Sequence, residues 1–256
     1  KLLGETFLRH RAGEEFKAFD LPYKLLKFIL GSNRSLLEHL KDERLQLRRT
    51  PPGTVQLVLL RSSPEVELNF QARKARAGSA FAFHGSPVCN WFSIIRNGLL
   101  PLTNTKFMNN GAIHGAAIYL ADHVGVALEY CEGFTEVPTW NYSSKQLQVK
   151  VLGIVEYIND GSARYLGGVR TVANPEAVQL RYILMLPAFA SGMGDAHRQA
   201  WLDFGSLSSE DLGVSECLLR AQASAAHAAA ERGDRGAAAE LLHALEFVQT
   251  RHPPPG

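Results

Sequence analysis

Cysteine is scarce in this chain. Three residues, Cys89, Cys131 and Cys217, are scattered over 256 positions, with no C-x-x-C pair and no Cys/His cluster. That pattern excludes a disulfide framework and suggests no metal site, so a reducing, intracellular compartment (cytoplasmic or nuclear) is expected. Long apolar runs are missing too; none approaches the roughly 18 residues of a membrane span. Neither sign of charge dominates, with 27 basic against 25 acidic residues and a net charge of +2. Nucleic acid is therefore not expected as an obligatory partner. The basic runs at 45–50 (LQLRRT) and 72–78 (ARKARAG) read as solvated faces. No signal peptide opens the chain and Lys1 stands where Met would, so a piece of a longer protein is expected.

Familiar catalytic signatures are also absent. There is no G-x-G-x-x-G after a strand, no G-x-x-x-x-G-K-[ST], no G-x-S-x-G and no H-E-x-x-H. A conventional dehydrogenase, nucleotidase, serine hydrolase or zinc peptidase would have to work without its usual residues.

What is present is a soluble composition, 46% hydrophobic and 20% charged, in a chain long enough to bury a core. The first fifty residues read as helical: YKLLKFIL closes at Gly31, and Ser35 to Glu38 has capping-box spacing for a following helix. TVQLVLL (54–60), Ser79–His84, AAIYL (116–120), QLQVKVLGIVEYI (146–158), RTVAN and VQLRYILML (178–186) read as strands. A short helix is predicted over Trp91–Arg96, capped by Asn90 and ended by Gly98, and another over HVGVALEYC, capped by Asp122. Strands without regular helical crossovers point to an α+β fold with a mixed, largely antiparallel sheet. From about residue 195 the chain is alanine-rich and helical, with a turn at Gly233-Asp234 and an apolar stripe of Leu241, Leu245 and Val248. The expected division is an N-terminal helical extension (1–53), a catalytic domain (54–190) and a helical tail or linker (195–256).

Three segments carry the chemistry. FHGS (83–86) ends a strand with an imidazole, a bare backbone and a hydroxyl. GAAIYLADHVGVALEYC (115–131) holds Tyr119 and Tyr130 eleven residues apart. LRYILML places Tyr182 on a late strand. Each has an ordinary alternative: a hydrogen-bonded structural histidine, a core tyrosine, a helix-closing tyrosine, a half-buried strand tyrosine.

In order, spacing and flanks, the set resembles the catalytic domain of the poly(ADP-ribose) polymerase-like ADP-ribosyltransferases. It is most similar to the His-Tyr-Tyr branch, whose members are regarded as mono-ADP-ribosyltransferases. The resemblance covers roughly residues 54–188 and implies a split, mostly antiparallel sheet with NAD+ as substrate and no metal. It implies catalytic roles for His84, Tyr119 and Tyr182, and NAD+ contacts from His84, Gly85, Ser86, Tyr119, Ala127 and Tyr130. Gly85, lacking a Cβ, would hold the nicotinamide carboxamide through its backbone, and Tyr119 and Tyr130 would sandwich the ring. His84 would bond the adenosine ribose, with Ser86 nearby.

Polymer-forming relatives carry glutamate at the third position. A phenol there, with a pKa of about 10, is a poor general base at neutral pH. The resemblance thus implies single transfers to protein acceptors, the chain itself included, rather than chain elongation. Arg181 is the alternative third position, one residue away on the opposite side of the strand. Ala127 stands where many relatives place serine, Ala117 replaces a glycine, and Leu100 replaces an arginine that some relatives carry. Weak NAD+ affinity is the consequence, and a poorly active interaction module of the same fold is the alternative function. A scaffold role for the helical tail is a third.

Overall fold

In the computed structural model the described residues are 35–101, 116–131, 149–187, 195–236 and 238–239. The predicted helices before residue 35, the Asn-rich loop and the stripe at Leu241–Val248 lie outside them. In chain order the strands are β1 (Leu36–His39), β2 (Val55–Arg61), β3 (Ser79–Gly85), β4 (Ile118–Ala121), β5 (Val149–Ile158), β6 (Ala163–Leu166), β7 (Val169–Val172) and β8 (Val178–Pro187). The helices are α1 (Pro64–Ala77), α2 (Trp91–Asn97), α3 (Val124–Leu128), α4 (Asp195–Gly205) and α5 (Val214–Glu231).

Alternating buried side chains along β2, β5 and β8 explain the architecture. Val58, Leu60, Leu152, Ile154, Leu184 and Leu186 belong to one apolar cluster, while Leu59, Val151, Val155 and Ile183 belong to another. Period-2 alternation with both sets buried requires a sheet covered on both faces. The sheet has the order β1-β2-β8-β5-β3-β4-β7-β6, and every pairing is antiparallel. The α+β class and the largely antiparallel sheet expected from the sequence are both observed. The split is local: β3 and β4 pair only at Phe83↔Ala121.

Phe204, Leu207, Leu212, Val214, Leu218 and Ala221 join the first cluster, so α4 and α5 are part of that side of the core. Phe70 of α1 and Trp91 and Ile94 of α2 join the second.

Several local expectations are corrected. Leu36–His39 is a strand, not the start of a helix. Its pairing with β2 from Leu36↔Arg61 to His39↔Leu57 outweighs the capping-box spacing. The sheet therefore begins before residue 54. The basic run at 72–78 closes α1, a helix that the sequence reading missed although Pro64 sits in its first turn, where proline is favoured. Its Lys74 reaches a buried carboxylate, Glu156, at 2.7 Å. Asn90 makes no side-chain cap. Asp122 does not cap α3 either: its carboxylate is held by Arg170 at 2.6 Å, and His123 takes the cap position. β6 was also missed; among the described residues it pairs only with β7.

Candidate active site

The site begins where β3 ends. His84 Nδ1 lies 3.0 Å from the Tyr119 carbonyl oxygen. A carbonyl can only accept, so Nδ1 carries the proton and Nε2 is left as an acceptor. Burial lowers the His84 pKa below its ordinary 6.5, against the opposing pull of the Tyr119 carbonyl. The imidazole is therefore neutral at pH 7, the form that can accept a hydroxyl proton through Nε2. The Trp91 ring stands edge-on to it at 6.3 Å.

Trp91 ties the turn together. Its Nε1 donates to the Ser86 carbonyl at 3.0 Å. It also lies over Gly153, the partner of His84 on β5, where a Cβ would come within 2.6 Å of the indole. The Ser86 hydroxyl accepts from Asn90 Nδ2 at 2.9 Å and is buried. Asn90, Trp91 and Gly153 were not singled out from the sequence as site residues. The closeness of Asn90-Trp91 to His84-Gly85-Ser86 was the only available signal.

Gly85 is required by contact, not by backbone angle. A Cβ on it would fall 1.8 Å from the Ala127 carbonyl oxygen and 3.1 Å from Tyr130 Cβ. Helix α3 and the following 3-10 turn (Glu129–Cys131) thus lie directly against the strand end. Ala127 is buried and offers no side-chain donor. Cys131 anchors the turn, its Sγ donating to the Val151 carbonyl at 3.2 Å. Tyr130 is 43% exposed. Tyr119 is half-buried on β4 opposite Thr171.

Tyr182 is placed differently. Registers run His84↔Gly153↔Ile183 and Phe83↔Ile154↔Tyr182. Directly paired residues share a face, so Tyr182 and His84 project from opposite faces of the sheet. Tyr182 is fully buried in the cluster of Phe83, Ala127 and Cys217, and its hydroxyl has no hydrogen-bond partner among the described residues. Burial raises its pKa far above the usual phenol value; nearby Cys217 adds to the rise and Arg220 opposes it.

Arg181, the alternative third position, faces the other way. It makes paired hydrogen bonds to Glu67 at 2.8 and 2.9 Å and one to Glu156 at 2.7 Å. Its guanidinium lies 5.2 Å from the Phe70 ring centre. A register shift between Ile154 and Val155 of β5 accommodates it. Arg181 thus binds α1 to the sheet and is committed to carboxylates. Among the described residues no three His, Cys, Asp or Glu side chains cluster as metal ligands, and no helix is long and apolar enough to cross a membrane.

The antiparallel sheet thus carries a His-Gly-Ser strand end, with Tyr119 on the neighbouring strand and Tyr130 against Gly85. Residues 46–140 match the family described as poly(ADP-ribose) polymerase catalytic domain. Over 115 residues the chain is 42% identical to protein mono-ADP-ribosyltransferase PARP8 of Mus musculus and equally to that of Homo sapiens. The aligned stretch is 44% of this chain and 13% of each relative. The family match contains His84, Gly85, Ser86, Tyr119, Ala127 and Tyr130 but stops before Tyr182 and both C-terminal helices.

Proposed function

We propose that this chain transfers one ADP-ribose unit from NAD+ to a protein side chain and releases nicotinamide. The observation that carries the reading is the strand end itself: a neutral His84 with Nε2 free to accept, beside a glycine pressed against α3. It lies within residues 46–140, which match the poly(ADP-ribose) polymerase catalytic domain, in a chain 42% identical over 115 residues to a mono-ADP-ribosyltransferase.

The residues fit the dinucleotide. Gly85 would offer its backbone N–H and C=O to the carboxamide, and Tyr119 and Tyr130 would supply aromatic faces for the nicotinamide ring. Offset stacking contributes about 0.5–1.5 kcal/mol beyond burial. His84 Nε2 would accept from a ribose hydroxyl, with Ser86 stiffened by Asn90 beside it. Ala127 supplies no side-chain hydrogen bond, and one lost neutral bond costs about 0.5–1.5 kcal/mol.

In the reaction the C–N bond between ribose and nicotinamide breaks and the bonding pair leaves with nicotinamide. The sugar centre gains positive charge, and the acceptor's lone pair forms the new bond. Holding the ring and ribose rigidly supplies the required orientation. No base is supplied by Tyr182, because its hydroxyl is buried in the core without a hydrogen-bond partner among the described residues. A sugar hydroxyl would therefore go unactivated, which supports single transfer over elongation. The acceptor is proposed to be a protein nucleophile that needs no base, on another protein or on the chain itself. Three free thiols support a reducing, intracellular setting.

The test is incubation of the full chain with NAD+ and intact mass measurement, beside His84→Ala. Discrete single ADP-ribose additions lost in the variant are expected. Polymer ladders would refute single transfer. No modification together with no NAD+ binding would favour an interaction module.

A further inference from the structure

Helix α3 is seated from two sides. On one, its Ala127 carbonyl occupies the place of the missing Gly85 Cβ. On the other it meets the end of α4. A Cβ on Gly125 would lie 2.9 Å from the Gly205 carbonyl oxygen and 3.5 Å from its carbon. The obstacle is backbone, which cannot rotate away. The Val124 N–H donates to the Leu207 carbonyl at 3.1 Å, and the Ser209 hydroxyl donates to the Phe81 carbonyl at 3.3 Å. Phe204 and Leu207 pack in the same cluster as Phe83, Val124 and Ala127. The segment 204–209 therefore touches both the strand that ends in His84-Gly85 and the helix that leads to Tyr130.

We propose that the Gly125–Gly205 contact is a positioning device: the segment after α4 sets the seat of α3, and through it the approach of Ala127 and Tyr130 to Gly85. The proposal rests on the transferase reading. It extends the working site to residues that lie beyond the family match and beyond residue 190, where the sequence reading ended the catalytic domain. Neither glycine touches substrate in this account; both act through α3.

The two glycines are not equivalent, and this asymmetry makes the proposal testable. A Cβ on Gly205 would meet only Gly125 Cα, at 3.8 Å, an ordinary contact. Gly125 has no positive φ, so alanine suits its backbone and favours the helix. Any harm from Gly125→Ala must then come from displacement of α3.

The experiment uses the full chain, with NAD+ and the nicotinamide analogue 3-aminobenzamide as probes. Binding of both, KM and kcat for NAD+ and Tm are measured for the native chain, Gly125→Ala, Gly205→Ala and Ile158→Ala. Ile158 is a buried core residue of the other apolar cluster, at the end of β5 away from the segment after α4. Expected is a rise of about tenfold in KM and in the benzamide Kd for Gly125→Ala, since displacements well under 1 Å suffice. Gly205→Ala should match the native chain. Ile158→Ala should lower Tm while leaving KM unchanged. Native binding with an unaltered Gly125→Ala overturns the positioning proposal alone. A KM rise that merely follows Tm, in Ile158→Ala as much as in Gly125→Ala, also overturns it. A native chain that binds neither probe overturns the transferase reading and this proposal with it.

Discussion

His84 and Tyr182 were grouped by the sequence pattern, and the fold gives them opposite fates. The folded pKa of His84 lies below its ordinary 6.5, so folding favours the neutral ring. Its contribution to stability is present above pH 6.5 and is lost as pH falls through the lower folded value. NAD+ binding should be flat with respect to His84 above pH 6.5 and should decline with a midpoint below it; titrating Kd against pH checks this. Tyr182 keeps an unpartnered hydroxyl in the core. Tyr182→Phe removes that desolvated group and should stabilise the chain by about 1 kcal/mol, read by urea denaturation, with transfer retained. Tyr182→Glu would bury a carboxylate there. It should destabilise by several kcal/mol and produce no polymer, even though glutamate is the residue of polymer-forming relatives.

Among the elements, α1 and β8 are joined by ions. Arg181, Glu67, Glu156 and Lys74 form one compensated set, with Arg181 and Glu156 almost wholly inaccessible. Removing one member leaves a buried charge unpaired, which typically costs about 3–5 kcal/mol. Arg181→Met should show a loss of that size in chemical denaturation. Burial alone would raise both carboxyl pKa values, but Arg181, helped by Lys74 at Glu156, holds them below 4.5, Glu67 at about 2. Their contribution is present above pH 4.5 and is lost as pH falls from there toward 2. Tm should therefore drop across that window in the native chain and much less in Glu67→Gln. At β3, Gly85→Ala places a methyl 1.8 Å from a carbonyl oxygen. It should abolish 3-aminobenzamide binding, measured by calorimetry, because α3 has to move.

For the whole molecule, the question is whether residues after 195 are an appendage. Val214, Cys217, Leu218, Ala221, Ala226 and Ala229 of α5 are buried, and five of them share a cluster with Tyr182 and Leu184. A fully buried aliphatic side chain is worth about 1.5–3 kcal/mol. Deleting the segment therefore removes an amount comparable to the total stability of about 5–15 kcal/mol typical of a domain. A chain ending at Pro187 should lose its cooperative thermal transition, as circular dichroism would reveal.

Composition, alternation and the three motifs were enough to read the α+β class and six of the eight strands among the described residues. Those features are local: side-chain period, turn residues and short spacings state them directly. β1 was misread because Ser35–Glu38 satisfies a local helix-capping rule, whereas its strand state depends on pairing with residues 57–61. α1 was missed because its outward charges resemble a loop. The burial of Tyr182, the ion pairs of Arg181, the grip of Trp91 on the strand end and the Gly125–Gly205 seat were not legible in the chain order. Each depends on which strand lies beside which and which helix crosses which face. Contacts between residues 80 or more positions apart, such as Gly125 with Gly205, come into being only once the sheet has assembled.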